Sequence, residues 1–261
     1  MSTHTAALVE EYKQAQVRGV TKHLTPDHHP KLVAELNNMA EQLRTMPNQL
    51  FVQFIVTIRL ILQTIQTSSL YYVQRIPAEL GRFKWVIDRK DRTLTQMERL
   101  WTTLIMPYGQ SYFARRPLVT LEGADYTHFR RFDSDPSDSS VSSQLRLLNE
   151  HFGASPSEET GDIKMLLSEE RDFADSRGNL GLQLVDIVTS TLRRALNGRL
   201  EPSGWENLGR LLVRKPDQES FIQLMTPGTP SPGNLTGKAA AAWRRLELHS
   251  KEMLLQESRS R

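Results

Sequence analysis

The chain contains no cysteine. Disulfides, thiolate metal sites and cysteine nucleophiles are thereby excluded, and the composition fits a cytoplasmic setting. Histidine is sparse, with 7 residues, and none has metal-ligand spacing. His28-His29 lies in a proline-flanked loop, and His128 in LEGADYTHFRRF reads as a packing or loop residue. No P-loop, nucleophile elbow or Gly-x-Gly-x-x-Gly run is present. The first residues, MSTHTAALVEEYKQ, lack the basic-then-apolar pattern of a signal peptide. Long hydrophobic runs are also missing. The most apolar stretch, LFVQFIVTIRLILQTIQ (50–66), is interrupted by Gln53, Arg59 and Gln63 and reads as too short and too polar to span a membrane. Nor does one sign of charge dominate: 33 Lys+Arg against 30 Asp+Glu leave a formal net charge of +3. That permits nucleic-acid binding without demanding it. The arginine pairs 115–116, 130–131, 193–194 and 244–245 are short and read as solvated faces.

What is present suffices for a globular core. The chain has 261 residues, 38% of them apolar and 24% charged. Leu50, Phe51, Phe54, Ile55, Ile58, Ile61, Leu62 and Ile65 recur with helical period, which predicts a core helix over 48–66 with Asn48 as N-cap. An amphipathic helix is expected from Leu32 to Leu43, and residues 1–30 read as a tail or a loose helix. Phe83, Trp85 and Ile87 alternate with Lys84, Val86 and Asp88, the signature of a strand whose last residue is Asp88. Thr93 then caps a helix carrying Met97, Leu100, Trp101, Leu104 and Ile105 that stops before Pro107.

A second strand is expected at PLVTLEG (117–123), an exposed loop at 133–143, a short helix at 143–152 and another loop at 153–160. Residues 162–175 are ambiguous between strand and helix. Leu180, Leu184, Val188, Leu192 and Leu196 then mark a buried stripe on a helix that Asn197-Gly198 stops. A helix at 203–213, a Pro/Gly-rich linker at 226–234 and an Ala-rich helix at 237–256, packed as an appendage, complete the chain. The organisation is thus a main domain over 31–225, followed by a linker and terminal helix over 226–261. The fold class is a helix-rich α/β (α+β) one.

Two carboxylates stand out. Asp88 ends the apolar strand FKWVID, and Asp186 lies within GLQLVDIVTS. A carboxylate in apolar surroundings needs a base, a hydrogen-bond donor or a metal. Brought together, the two would form half of a magnesium or manganese site. Glu122, at the end of the second expected strand, and Asp175 are candidates to complete it. Asp91 reads as a turn residue, and Asp175 alternatively caps the helix that begins near Asn179. Each residue also has a plain structural reading. Asp88 could cap a turn, Asp186 could bond Ser190, and Gln183 could hold its helix against the strand. Arg177 could either contact a phosphate or pair with Asp175.

Two segments carry a family resemblance. YYVQRIPAELGRFKWVIDRKD and FADSRGNLGLQLVDIV together resemble the domain of unknown function 3800 family, a bacterial and phage group assigned a ribonuclease-H-like fold. The matching features are the strand ending in Asp88, the Asp175-Ser176-Arg177 segment, and the helix with Leu182, Gln183 and Asp186. The resemblance covers roughly 32–215. It implies a small mixed sheet flanked by helices and a metal-dependent nuclease or phosphoryl-transfer activity. Asp88 and Asp186 would be catalytic, a Mg2+ or Mn2+ site would draw on Asp88, Asp186, Glu122 and Asp175, and Arg177 and Gln183 would meet the substrate, nucleic acid. Typical members open with a strand bearing Asp-Glu-Ser, and residues 1–46 contain none. The sheet is therefore expected to lack its first strands, its edge being covered by the N-terminal helices, a partner chain or a second copy. The competing expectation is a non-catalytic binding or assembly module that keeps the fold.

Overall fold

The computed structural model describes residues 3–22, 30–89, 91–115, 118–132, 163–168, 171–214 and 237–255. The expected loops and helix at 133–160 and the linker at 226–234 lie outside these residues.

Helix α3, Asn48–Val73, organises the main core. Its helical period buries Phe51, Phe54, Ile55, Ile58, Ile61, Leu62, Ile65, Ser69 and Val73 on one face. Burying such a face supplies most of the stability of a helix in water. The helix continues past the expected end at 66 through Thr67–Val73. At 26 residues it is long and apolar enough, by length and composition alone, to cross a membrane, which removes the length argument made from 50–66. In the structure its buried face is packed within the protein core.

Helix α1, Thr3–Thr21, and helix α2, Pro30–Thr45, pack against each other, and α1 also contacts α3. Val9 and Val17 of α1 belong to the main core, so this segment is a packed helix where a tail or loose helix is expected. Asn48 is not the cap of α3. Pro47 holds that place, and the Asn48 Oδ1 accepts instead from the Lys13 ammonium at 2.9 Å.

Strand β1, Trp85–Asp88, pairs in parallel with β2, Arg171–Ala174. The register sets Trp85 opposite Arg171, Ile87 opposite Phe173 and Asp88 opposite Ala174. Trp85, Ile87 and Phe173 share a face and pack against the main core. The Trp85 indole N–H donates to the Leu166 carbonyl at 3.1 Å. Between the strands, α4 (Gln96–Leu100) passes through a π turn (Trp101–Ile105) into α5 (Met106–Arg115). Thr95, not Thr93, caps α4, in a capping box with Glu98. The helix also runs through Pro107. A proline inside an α-helix clashes with the carbonyl one turn back. Here the preceding turn is widened, with the Met106 N–H bonding to the Trp101 carbonyl five residues earlier.

No strand forms at 118–121. The ambiguous stretch 162–175 resolves into both readings, helix α6 (Ile163–Ser168) followed by β2.

Helix α7, Leu180–Leu196, ends where Asn197-Gly198 is expected to stop it. Gly198 takes φ +67, the Arg199 N–H bonds the Arg194 carbonyl, and the Gly198 N–H bonds the Ala195 carbonyl, a paired C-terminal closure. The expected buried stripe is only half right. Val188 and Leu192 pack with Ala195 against α8 (Pro202–Gly209) and α9 (Gly237–His249), around Leu208, Ala242 and Leu246. Leu180 and Leu184 are instead 71% and 54% exposed.

The terminal helix therefore packs into a second small core. Strand β3, Val213–Arg214, pairs in parallel with β4, Lys251–Glu252, and the Arg75 guanidinium donates to the carbonyls of Glu252 and Met253 at 2.9 and 2.8 Å. The whole is a helix-rich mixed α/β structure. Among the described residues its strands form two separate parallel pairs, where the resemblance leads one to expect a single mixed sheet.

Candidate functional site

Asp88 is the last residue of β1 and is half-buried. One further backbone bond, from the Arg89 N–H to the Ala174 carbonyl at 2.8 Å, continues the ladder beyond it. The C-terminal ends of the two strands thus meet at one edge, the edge at which open α/β sheets generally bind ligands.

Asp175 follows β2 directly and caps the 3-10 turn Ser176–Gly178. Its Oδ1 accepts the Arg177 backbone N–H at 2.9 Å. The Arg177 Nε donates to both carboxylate oxygens at 3.1 Å, and Nη2 donates to Oδ2 at 2.5 Å. This grip on the ionised form pulls the Asp175 carboxyl down to about 2, with the Arg177 side chain as the main cause, its backbone N–H next, and the charge of Arg89 contributing. The ion pair read as one of two roles for Arg177 is therefore formed, although the guanidinium is 90% exposed.

Strand pleating separates the two strand-end acids. Asp88 falls on the face of Val86 and Ala174, while Asp175, still extended at φ −80 and ψ 125, continues the alternation of Arg171 and Phe173. Proximity along the edge does not make them one ligand set.

Asn179 caps α7 by accepting the Leu182 N–H at 3.1 Å. Gln183 donates to the carbonyls of Ser176 and Arg177 at 3.0 and 3.1 Å, so it fastens the helix to the preceding turn. Helix α7 lies against that turn and against β1. Leu182 is the single buried residue between Leu180 and Ser190. Asp186 stands one turn beyond Leu182 on the same side of the helix. It is exposed, and it makes no hydrogen bond or ion pair with another described residue, Ser190 included. The premise that apolar neighbours in sequence impose a desolvation cost on Asp186 is thus corrected, because the neighbouring Val185 and Ile187 face solvent too.

Glu122 occupies an exposed turn before Gly123, which adopts φ +73. Its assignment to the site rested on a strand that does not form. Asp91 is exposed and accepts the Arg92 N–H at 2.6 Å, as expected of a turn residue. His128 is an exposed loop residue.

The donors at the strand edge are all oxygens, which suits a hard cation such as Mg2+. Among the described residues no group of three or more His, Asp or Glu side chains is placed to hold one ion. Sequence reasoning missed Arg89, whose backbone and charge both act at the edge. Its signal was its place, one residue past the strand. It also missed the exposed aliphatic stripe of α7, which the excess of Leu, Val and Ile around that helix could have flagged. Comparison of the chain with family models, with curated proteins and with solved structures finds no match.

Proposed function

We propose that the chain is a divalent-metal-dependent nuclease or phosphoryl-transfer protein of ribonuclease-H-like fold, with nucleic acid seated at the C-terminal ends of β1 and β2. The observation that carries this reading is the contact between α7 and β1, which puts the helix bearing Asp186 beside the strand that ends in Asp88. Asp88 and Asp186 supply oxygen ligands for one Mg2+ or Mn2+, held largely through water. A metal bound there would polarise a phosphodiester and acidify a bound water. Arg177 and Gln183 shape the rim beside it. The experiment is to measure manganese binding by calorimetry and metal-dependent cleavage of RNA and DNA, for the native chain and for Asp88→Asn and Asp186→Asn. Loss of both binding and cleavage in either variant is expected. Cleavage that survives both changes removes these residues from the reaction.

A second reading, a non-catalytic binding or assembly module, draws support from two observations. Arg177 already takes up both oxygens of Asp175, and Leu180, Leu184 and Ile187 stand exposed on α7. In that reading the partner is a protein or a second copy, and neither metal nor nucleic acid binds at the strand edge. A native chain that binds no manganese and cleaves neither nucleic acid decides for it.

A further inference from the structure

We draw no further inference here: the strongest candidate, the exposed aliphatic stripe of Leu180, Leu184 and Ile187 on the N-terminal half of α7, is an unpartnered apolar face, and nothing among the described residues shows what covers it.

Discussion

The side-chain amide of Gln66 brackets the backbone of Val119, donating to its carbonyl at 3.1 Å and accepting its N–H at 3.1 Å. A glutamine on the flank of α3 thus does for residue 119 what a neighbouring strand would do. The backbone donor and acceptor of this one residue in the expected strand are thereby satisfied by a side chain. Gln66→Leu removes both bonds from an exposed pair, and a loss of about 1 kcal/mol is expected in urea unfolding. Hydrogen exchange at the Val119 amide should accelerate. Unchanged exchange there would show that the bracket is not formed in solution.

Lys13 supports a second prediction. Its ammonium is buried and donates to the Met46 carbonyl at 3.1 Å and to Asn48 Oδ1 at 2.9 Å, while Glu10 pairs with it at 2.7 Å. The amine therefore joins α1 to the turn between α2 and α3. Lys13→Met keeps the aliphatic stem but strips the buried Met46 carbonyl and the half-buried Asn48 amide oxygen of their donor, and should cost about 2 kcal/mol. Glu10→Gln keeps a side-chain oxygen beside the ammonium and removes only the charge of the half-exposed partner, so it should cost less than Lys13→Met. Equal losses in the two variants would contradict this arrangement.

Asp175 gives a pH dependence with a defined sign. Its carboxyl titrates at about 2 in the folded chain, against an ordinary value of 3.8. A depressed folded value means that the ion pair with Arg177 favours the folded state above the ordinary value, and that this contribution is lost as pH falls through about 2. Carbon-detected NMR titration should find the Asp175 carboxyl well below its ordinary value of 3.8. In Arg177→Gln it should return most of the way toward 3.8, because the guanidinium is the largest cause.

Much of this structure was legible in the residues, for identifiable reasons. The period of Phe51, Phe54, Ile58 and Ile65 places α3, because a helix buried along one side repeats at that spacing. Trp85 and Ile87 place β1 in the same way, and Asn197-Gly198 marks the end of α7 because glycine readily takes the left-handed conformation. What could not be read depends on neighbours distant in sequence. Pro107 stays inside a helix because a wider turn precedes it. Leu180 and Leu184 carry the same pattern as Val188 and Leu192, but α8 and α9 reach only the latter pair. The site divides likewise. Asp88, Asp186 and Arg177 stood out as residues, whereas the pleat that parts Asp88 from Asp175 is a property of the paired strands.

Gly209 of α8 packs directly against α9. A Cβ at this position would lie 2.8 Å from both the Leu246 carbonyl oxygen and the His249 Cβ. Neither is the free end of a flexible side chain, so the helices must move apart. Gly209→Ala should destabilise the small core around Ala195, Leu208 and Leu246 by about 1–3 kcal/mol. Gly178 meets nothing within 4 Å, and Gly178→Ala serves as the near-neutral control. Amide exchange in α9 should report the difference.

The two sides of α7 should answer mutation differently. Leu182 is 8% exposed and is the buried anchor at the start of the helix, whereas Leu184 is 54% exposed. Leu182→Ala removes buried methyl groups and should cost about 2–3 kcal/mol in chemical denaturation. Leu184→Ser loses little burial and should fall within about 0.5 kcal/mol of the native chain. If the protein loses as much stability from Leu184→Ser as from Leu182→Ala, the helix sits with a different face inward. Leu182 would then no longer be the residue that anchors the start of α7, and the proposed strand-edge site would have to be redrawn.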